Sequence, residues 1–232
     1  MSLSARARAF LTHARAHYSD VGFSAILGLQ VLTVFIVTPL IQRHNLDPDV
    51  GQALRFGVAA IAILIVSRTR RLSLAVALAF AVAAAFSVSV RTGAAGQTVR
   101  LASVVVTIAF DAVVAWTVVH AAFDGGRISV HRILGAVILY LYVGLIFSGL
   151  YRLIAISQPH AFSGLARADQ ASVSELTYYS LGTLTTSGTG GLIPLDPLVR
   201  SLSNLEGVIG QLFPATLLAR LVTLHGAEIE RR

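Results

Sequence analysis

Residues 176–200 read LTYYSLGTLTTSGTGGLIPLDPLVR, and this stretch decides the fold. A short apolar run ends in a threonine pair, three glycines follow within four residues, and two prolines lead into a long apolar segment. The apolar run at 173–184 is too short for a membrane-spanning helix, which needs about 20 residues. The pattern predicts a re-entrant helix, a glycine-rich turn and a return helix.

The composition places this stretch in a membrane. Hydrophobic residues make up 55% of the chain and charged residues only 12%, whereas soluble domains carry about 25% charged residues. The net charge is +7 and every cation is an arginine between apolar runs, which argues against nucleic-acid binding because no basic stripe with aromatics forms. The absence of cysteine excludes disulfides and thiolate chemistry.

Six apolar segments are long enough to span a bilayer as helices, because each helix satisfies its own backbone polar groups. They lie at residues 21–41, 51–67, 72–90, 99–123, 133–154 and 198–224. The first segment follows a polar stretch and lacks a convincing cleavage site, so we expect a retained anchor. The expected fold is an all-α integral membrane protein.

The arginines predict the orientation, since loops near the cytoplasmic face collect them. With a cytoplasmic N terminus, eleven arginines fall inside and six outside, and Arg55 near the end of the second span is unassigned. This tally favours both termini in the cytoplasm of a bacterial-type inner membrane. The re-entrant stretch then enters from outside, between spans five and six.

The predicted organisation has four parts. A cytoplasmic segment at 1–20 precedes a four-helix membrane domain at 21–123, and a short tail at 227–232 ends the chain. The fourth span lacks the regular arginine series of a voltage sensor. Residues 124–226 form a pore domain, which comprises a helix at 130–154, a pore helix at 173–184, a filter at 185–191 and an inner helix at 198–224.

The glycines suit a narrow ion filter. Carbonyl oxygens replace an ion's hydration shell only if successive carbonyls face one way, and glycines at alternate positions allow the dihedral angles required. Gly188 and Gly190 have this spacing. The preceding helix points its partly negative C-terminal end at the same place, which favours a cation. A buried, glycine-capped broken helix of the transporter kind is the alternative, although it leaves the Tyr178–Tyr179 pair unexplained.

At these residues the sequence resembles the potassium-channel pore family, in particular bacterial six-span, one-pore-loop members of the two-pore-type ion channel group. The family filter reads TTVGYGD, and TTSGTGG stands in the same frame here. The resemblance implies that Tyr178 and Tyr179 brace the filter. It further implies that a monovalent cation, K+ in the family, is held by the carbonyls of four residues. The implied filter is Thr185, Thr186, Ser187, Gly188, Thr189, Gly190 and Gly191, with the four carbonyls those of Thr186, Ser187, Gly188 and Thr189.

The return helix carries the family's remaining features. Gly210 lies at the position of the family's hinge glycine, and Pro214 cannot donate the hydrogen bond that the Gly210 carbonyl would accept, so we expect a bend there. Gln211, Leu218 and Val222 follow at spacings of seven and four and share one face, which predicts cavity and gate positions. Glu206, one turn before Gly210, either hydrogen-bonds the pore helix or anchors helix packing.

The sequence therefore predicts a homotetrameric cation channel among membrane lipids, with no enzymatic activity and no cofactor apart from permeant potassium or sodium. Thr189, Ser187 and Gly191 replace the family's Tyr, Val and Asp, which predicts weakened potassium selectivity. Two alternatives stay open. One is a non-conducting, channel-like assembly with a sensing or structural role. The other is a proton-coupled transporter using Asp111, an ionisable residue in mid-span; the structural interpretation of Asp111 is a pair with an arginine such as Arg55.

Overall fold

The computed structural model describes residues 27–37, 39–40, 57, 96–123, 130–165 and 172–229. Apart from Gly57, the second and third predicted spans lie outside the described residues, as do the N-terminal segment 1–20 and the last three residues. The predicted first span is represented by an apolar helix, Leu27–Val37, whose second half, Thr33–Val37, is π-helical.

From residue 96 onward, the described part of the chain forms four helices. They are α1, Gln97–Phe123; α2, Val130–Ser157; α3, Ser172–Leu184; and α4, Pro197–Ile229. Two stretches within them, Gln97–His120 of α1 and Ile133–Ser157 of α2, are long and apolar enough to cross a membrane. The 33-residue α4 is also long enough, but polar residues such as Ser201, Asn204 and Glu206 make it less apolar.

The start of α4 follows from its sequence. Oδ1 of Asp196 accepts hydrogen bonds from the backbone N–H groups of Leu198 (2.7 Å) and Val199 (3.3 Å), as an N-cap residue does. Pro197 occupies the first helical position, where its missing N–H has no intrahelical partner in any case. The chain therefore turns into α4 immediately after the glycine-rich stretch.

The described residues are mostly helical, as predicted, and a short two-stranded antiparallel sheet accompanies the helices. Strand β1, Phe162–Ser163, pairs with β2, Ile193–Pro194, in the register Phe162↔Pro194 and Ser163↔Ile193. Two-residue strands carry no periodic signal, and their partner is distant in sequence, so no local pattern predicts the pairing. The sheet joins the loop that follows α2 to the residues that follow the glycine-rich turn.

Two apolar clusters organise the packing. The first lies between α1 and α2 and includes Val34 of the N-terminal helix. The second surrounds α3 on the sides of α2 and α4, with Tyr151, Leu176, Tyr179 and Val199 among its buried members. Because α3 is wedged between α2 and α4, its C-terminal end and the turn that follows are held by both long helices.

Candidate functional site

The end of α3 is a Schellman motif, in which the backbone N–H groups after a helix donate to its last carbonyls. The N–H of Thr186 donates to the Thr183 carbonyl (3.1 Å), and that of Ser187 donates to the Gly182 carbonyl (2.9 Å). Thr186 occupies the left-handed position with a φ of 57°. Glycine usually occupies this position, and a β-branched residue there is strained by about 1–3 kcal/mol. Thr186, the second residue after α3, is therefore constrained by its surroundings.

The predicted filter, which we call the filter segment (residues 185–191), alternates in backbone conformation. Positive φ values occur at Thr186 (57°), Gly188 (112°) and Gly190 (60°), and again at Gly191 (96°). Ser187 and Thr189, between them, are not in the positive-φ region. The two glycines predicted to need unusual dihedral angles thus adopt them, and the alternation is of the kind that a carbonyl-lined ion path requires.

One carbonyl of the filter segment departs from the predicted arrangement. The Gly188 carbonyl, predicted to line the ion path, lies against Gly182 of α3, where a methyl group would overlap with its oxygen. The Gly188 N–H also lies 3.3 Å from the Gly182 carbonyl oxygen. Gly182 has no side chain and leaves a shallow surface on α3, so the backbone at Gly188 packs onto the helix.

The side chains of the filter segment form a row of exposed hydroxyl groups. Thr185 Oγ1 and Ser187 Oγ lie 2.7 Å apart, and Thr185 also donates to the Leu181 carbonyl (2.7 Å). Nε2 of Gln211 donates to Oγ1 of Thr186 (3.1 Å), which brings a predicted cavity residue to the base of the segment. All three hydroxyl-bearing side chains, at 185–187, are exposed in the single chain.

The tyrosine pair points in two directions. Tyr178 is 63% exposed, and its ring lies so close to Gly190 that any side chain there would overlap with it. Tyr179 is fully buried, and its hydroxyl is hydrogen-bonded to that of Ser203 on α4 (2.7 Å). Its ring makes edge contacts with Tyr151 and Phe162, with centroids 5.1 and 5.2 Å apart. Tyr178 thus contacts the filter segment, while Tyr179 joins α3 to α4.

Glu206 hydrogen-bonds both α3 and α2, which agrees with each of its two sequence-based interpretations. The carboxyl group is fully buried; the Tyr151 hydroxyl donates to Oε2 (2.6 Å), and the Ser180 hydroxyl lies 2.5 Å from Oε1. Ser180 Oγ is also 2.6 Å from the Gly144 carbonyl oxygen on α2. This network links α2, α3 and α4 directly behind the filter segment.

Gly210 has a packing role that its position as a predicted hinge does not reveal. A side chain at Gly210 would overlap with the Leu184 carbonyl at the end of α3. The same carbonyl accepts a hydrogen bond from the Tyr140 hydroxyl (2.9 Å), and the Tyr140 ring packs on Phe213 with centroids 5.5 Å apart. The close approach of α3 and α4 therefore requires glycine here.

The other predicted gate residues lie further along α4. The helix is continuous through Pro214, which lies inside it, and Leu218 is 63% exposed. The Val222 side chain lies outside the described residues. Asp111 is buried on α1, and its suggested partner, Arg55, is not among the described residues. A bend at Gly210–Pro214 stays a prediction.

Sequence reasoning missed four residues that hold the filter segment: Tyr140, Tyr151, Ser180 and Ser203. A signal for two of them was present, because Tyr140 and Tyr151 are eleven residues apart in the predicted span 133–154. That spacing places both on one helix face, and hydroxyl groups inside a span are expected to face protein partners. Ser180 and Ser203 have no such signal, since serine also bonds its own helix backbone.

Comparisons with known proteins supply no relatives: no protein-family model matches the chain, and no curated protein or solved structure matches it. The function is therefore argued from the geometry of the chain itself.

Proposed function

We propose that the chain is a homotetrameric channel for monovalent cations in a bacterial-type inner membrane, with both termini cytoplasmic. The single observation that carries the proposal is the alternation of φ at Thr186, Gly188 and Gly190, directly after a short helix braced by two long ones. An ion path lined by backbone carbonyls uses glycines at alternate positions, because their dihedral angles let successive carbonyls face one way.

The tetramer follows from the number of filter segments. One chain supplies one segment, and a ring of carbonyls around an ion path needs several copies around a shared axis. The exposed hydroxyls of residues 185–187 then face the axis and not lipid. Two apolar helices that can cross a membrane support the location, and the six-span arrangement extends that reading to the whole chain.

Weak selectivity between potassium and sodium is the expected property of this pore. The Gly188 carbonyl packs on Gly182, so it does not contribute to a cage of uniform carbonyls. The hydroxyls of Thr185 and Ser187 bond each other and offer the backbone alternative partners. The Tyr178 ring fills the space beside Gly190, so no void is expected there. The weak selectivity is therefore ascribed to the Gly188 carbonyl and to the hydroxyls of Thr185 and Ser187.

A comparison of reversal potentials tests the proposal. The native protein and a Ser187→Val, Thr189→Tyr, Gly191→Asp variant are recorded in planar bilayers under a potassium–sodium gradient. We expect the native reversal potential to lie near zero and that of the variant to move toward the potassium equilibrium potential. Thr216→Val is a matched control, because the Thr216 hydroxyl bonds only its own helix in the described part of the chain. A native pore as potassium-selective as the variant would refute weak selectivity.

A non-conducting assembly is the second candidate, and the position of the Gly188 carbonyl favours it. If that carbonyl stays on Gly182 in the tetramer, the ion path lacks a ligand at its centre. Native mass measurement would then find tetramers that carry no potassium flux in liposomes, and the triple variant would restore flux. A dominant monomer would remove both candidates, because neither exists without a shared axis.

A further inference from the structure

One face of α4 is exposed although it carries polar side chains. Exposed residues recur at alternating spacings of three and four, and the series is Ser201, Asn204, Val208, Gln211, Ala215 and Leu218. An amide side chain that faces lipid without a hydrogen-bond partner loses about 4–8 kcal/mol of hydration on transfer to hydrocarbon. In a membrane span this face must therefore be covered by protein or water.

The contact of Gln211 shows which way this face is turned. Its amide donates to Thr186 in the filter segment, so the face at Gln211 is on the side of the proposed axis. Asn204 precedes it by seven residues, or two turns, and lies on the same side about 10 Å further along the helix. Glu206, which bonds α3 of its own chain, is about 200° away around the helix. Asn204 therefore points away from its own pore helix.

The depth of Asn204 in the membrane indicates which group of the adjacent copy lies opposite it. The Tyr179 hydroxyl bonds Ser203 within one chain, so the end of the Tyr179 side chain lies at the depth of Ser203, and residues 178–179 of α3 lie within a side-chain length of that depth. Rotation about an axis along the membrane normal preserves depth, so Asn204 of one copy and Tyr178 of the adjacent copy also lie at similar depths. Among the α3 side chains that the structure describes (173–184), only Tyr178 is exposed, and its hydroxyl is the polar group that this helix presents outward.

We propose that, in the tetramer, the Asn204 side-chain amide of one copy hydrogen-bonds the Tyr178 hydroxyl of the adjacent copy. The inference rests on the proposed tetrameric channel and names the contact between its subunits. Because the same Tyr178 ring lies on Gly190, each copy braces the filter segment of its neighbour. Polar groups of this kind join helices in membranes where apolar surface gives little driving force.

Thiol cross-linking tests the contact, and the cysteine-free chain needs no background mutations. A tyrosine–asparagine hydrogen bond leaves the Cα atoms too far apart for a disulfide, which needs about 7 Å or less, so a short bis-maleimide joins the thiols. The variant Tyr178→Cys with Asn204→Cys, in liposomes, should give a ladder up to tetramer. The matched control pairs Tyr178→Cys with Leu218→Cys, which lies on the same face about 21 Å deeper, and should stay monomeric.

The outcomes separate this inference from the proposed function. A ladder in the test pair and none in the control supports the contact. Tetramers by native mass without a ladder, or equal ladders in both pairs, overturn the contact and leave the channel intact. Absence of tetramers overturns both. Should the cysteine variants fail to assemble, Tyr178→Phe and Asn204→Leu replace them. Each substitution should weaken the association of copies into the tetramer about threefold. The double variant should lose no more association than either single variant. Additive losses contradict the contact.

Discussion

The back of α3, which faces α2 and α4, and its front, where the filter segment lies, differ in how completely a single chain satisfies their hydrogen-bonding groups. On the back face, the side chains of Thr177, Tyr179 and Ser180 bond Ser148, Ser203 and Glu206 of the two long helices. At the front, the filter segment bonds mostly the last carbonyls of α3 and leaves the hydroxyls at 185–187 exposed. The difference shows that α3 is supported within one chain, whereas the proposed ion cage would require further copies.

The largest expected effect comes from removing the buried acceptor on the back face. Glu206→Leu leaves the Tyr151 hydroxyl buried without its acceptor, at a cost of about 1–3 kcal/mol. It also removes one of the two acceptors beside the Ser180 hydroxyl, which keeps the Gly144 carbonyl. Thermal unfolding in detergent should show a large loss of stability. Glu206→Gln keeps an acceptor and should lose less.

A triple variant sharpens the same test. Glu206→Leu with Tyr151→Phe and Ser180→Ala removes donors and acceptor together, so no polar group of this network stays unpaired. Its stability should recover most of the loss. If the triple variant is as unstable as Glu206→Leu alone, the network does not account for the support of α3.

Pro214 tests whether the filter segment is coupled to the C-terminal half of α4. Replacing a proline inside a helix by alanine restores a hydrogen bond and favours the helix by up to about 3 kcal/mol. Pro214→Ala should straighten α4 and change the open probability in single-channel records. An unchanged open probability, or a native α4 that is straight across Gly210–Pro214, would show that this stretch is not a hinge.

Gly210 tests the junction between back and front. Gly210→Ala places a methyl group on the Leu184 carbonyl and should destabilise the protein by about 1–3 kcal/mol through overpacking. Gly207→Ala is the matched control, because nothing lies within 4 Å of its Cβ position and alanine favours a helix by about 1 kcal/mol over glycine. Equal unfolding midpoints for both variants would contradict the close approach of α3 and α4.

Tyr140 should give the smallest effect. Tyr140→Phe keeps the ring on Phe213 but removes the hydrogen bond to the Leu184 carbonyl, which is worth about 1 kcal/mol. The unfolding midpoint should fall slightly while tetramers still form in native mass spectra. A loss as large as that of Glu206→Leu would mean that the end of α3, and not its back face, carries most of the support.

Much of the local structure could be predicted from the sequence. The helices expected at 173–184 and 198–224 are observed as Ser172–Leu184 and Pro197–Ile229. They could be predicted because their signals are local: the apolar runs lie within the helices, and Asp196 and Pro197 lie at the start of the second one. The contacts of Tyr151 with Glu206 and of Tyr140 with Leu184 could not be predicted. They join residues 55 and 44 positions apart, and no local pattern encodes a pairing at that distance.

The sequence by itself determined where the short helix, the glycine-rich turn and the return helix lie, since length, apolarity and the conformational range of glycine and proline are properties of neighbouring residues. Only the tertiary structure decided that the Gly188 carbonyl packs on Gly182, that Tyr178 and Tyr179 face different partners, and that Gly210 permits a close approach. These depend on which backbone surfaces meet when α3 is enclosed by α2 and α4, and that meeting is set by packing across the whole domain.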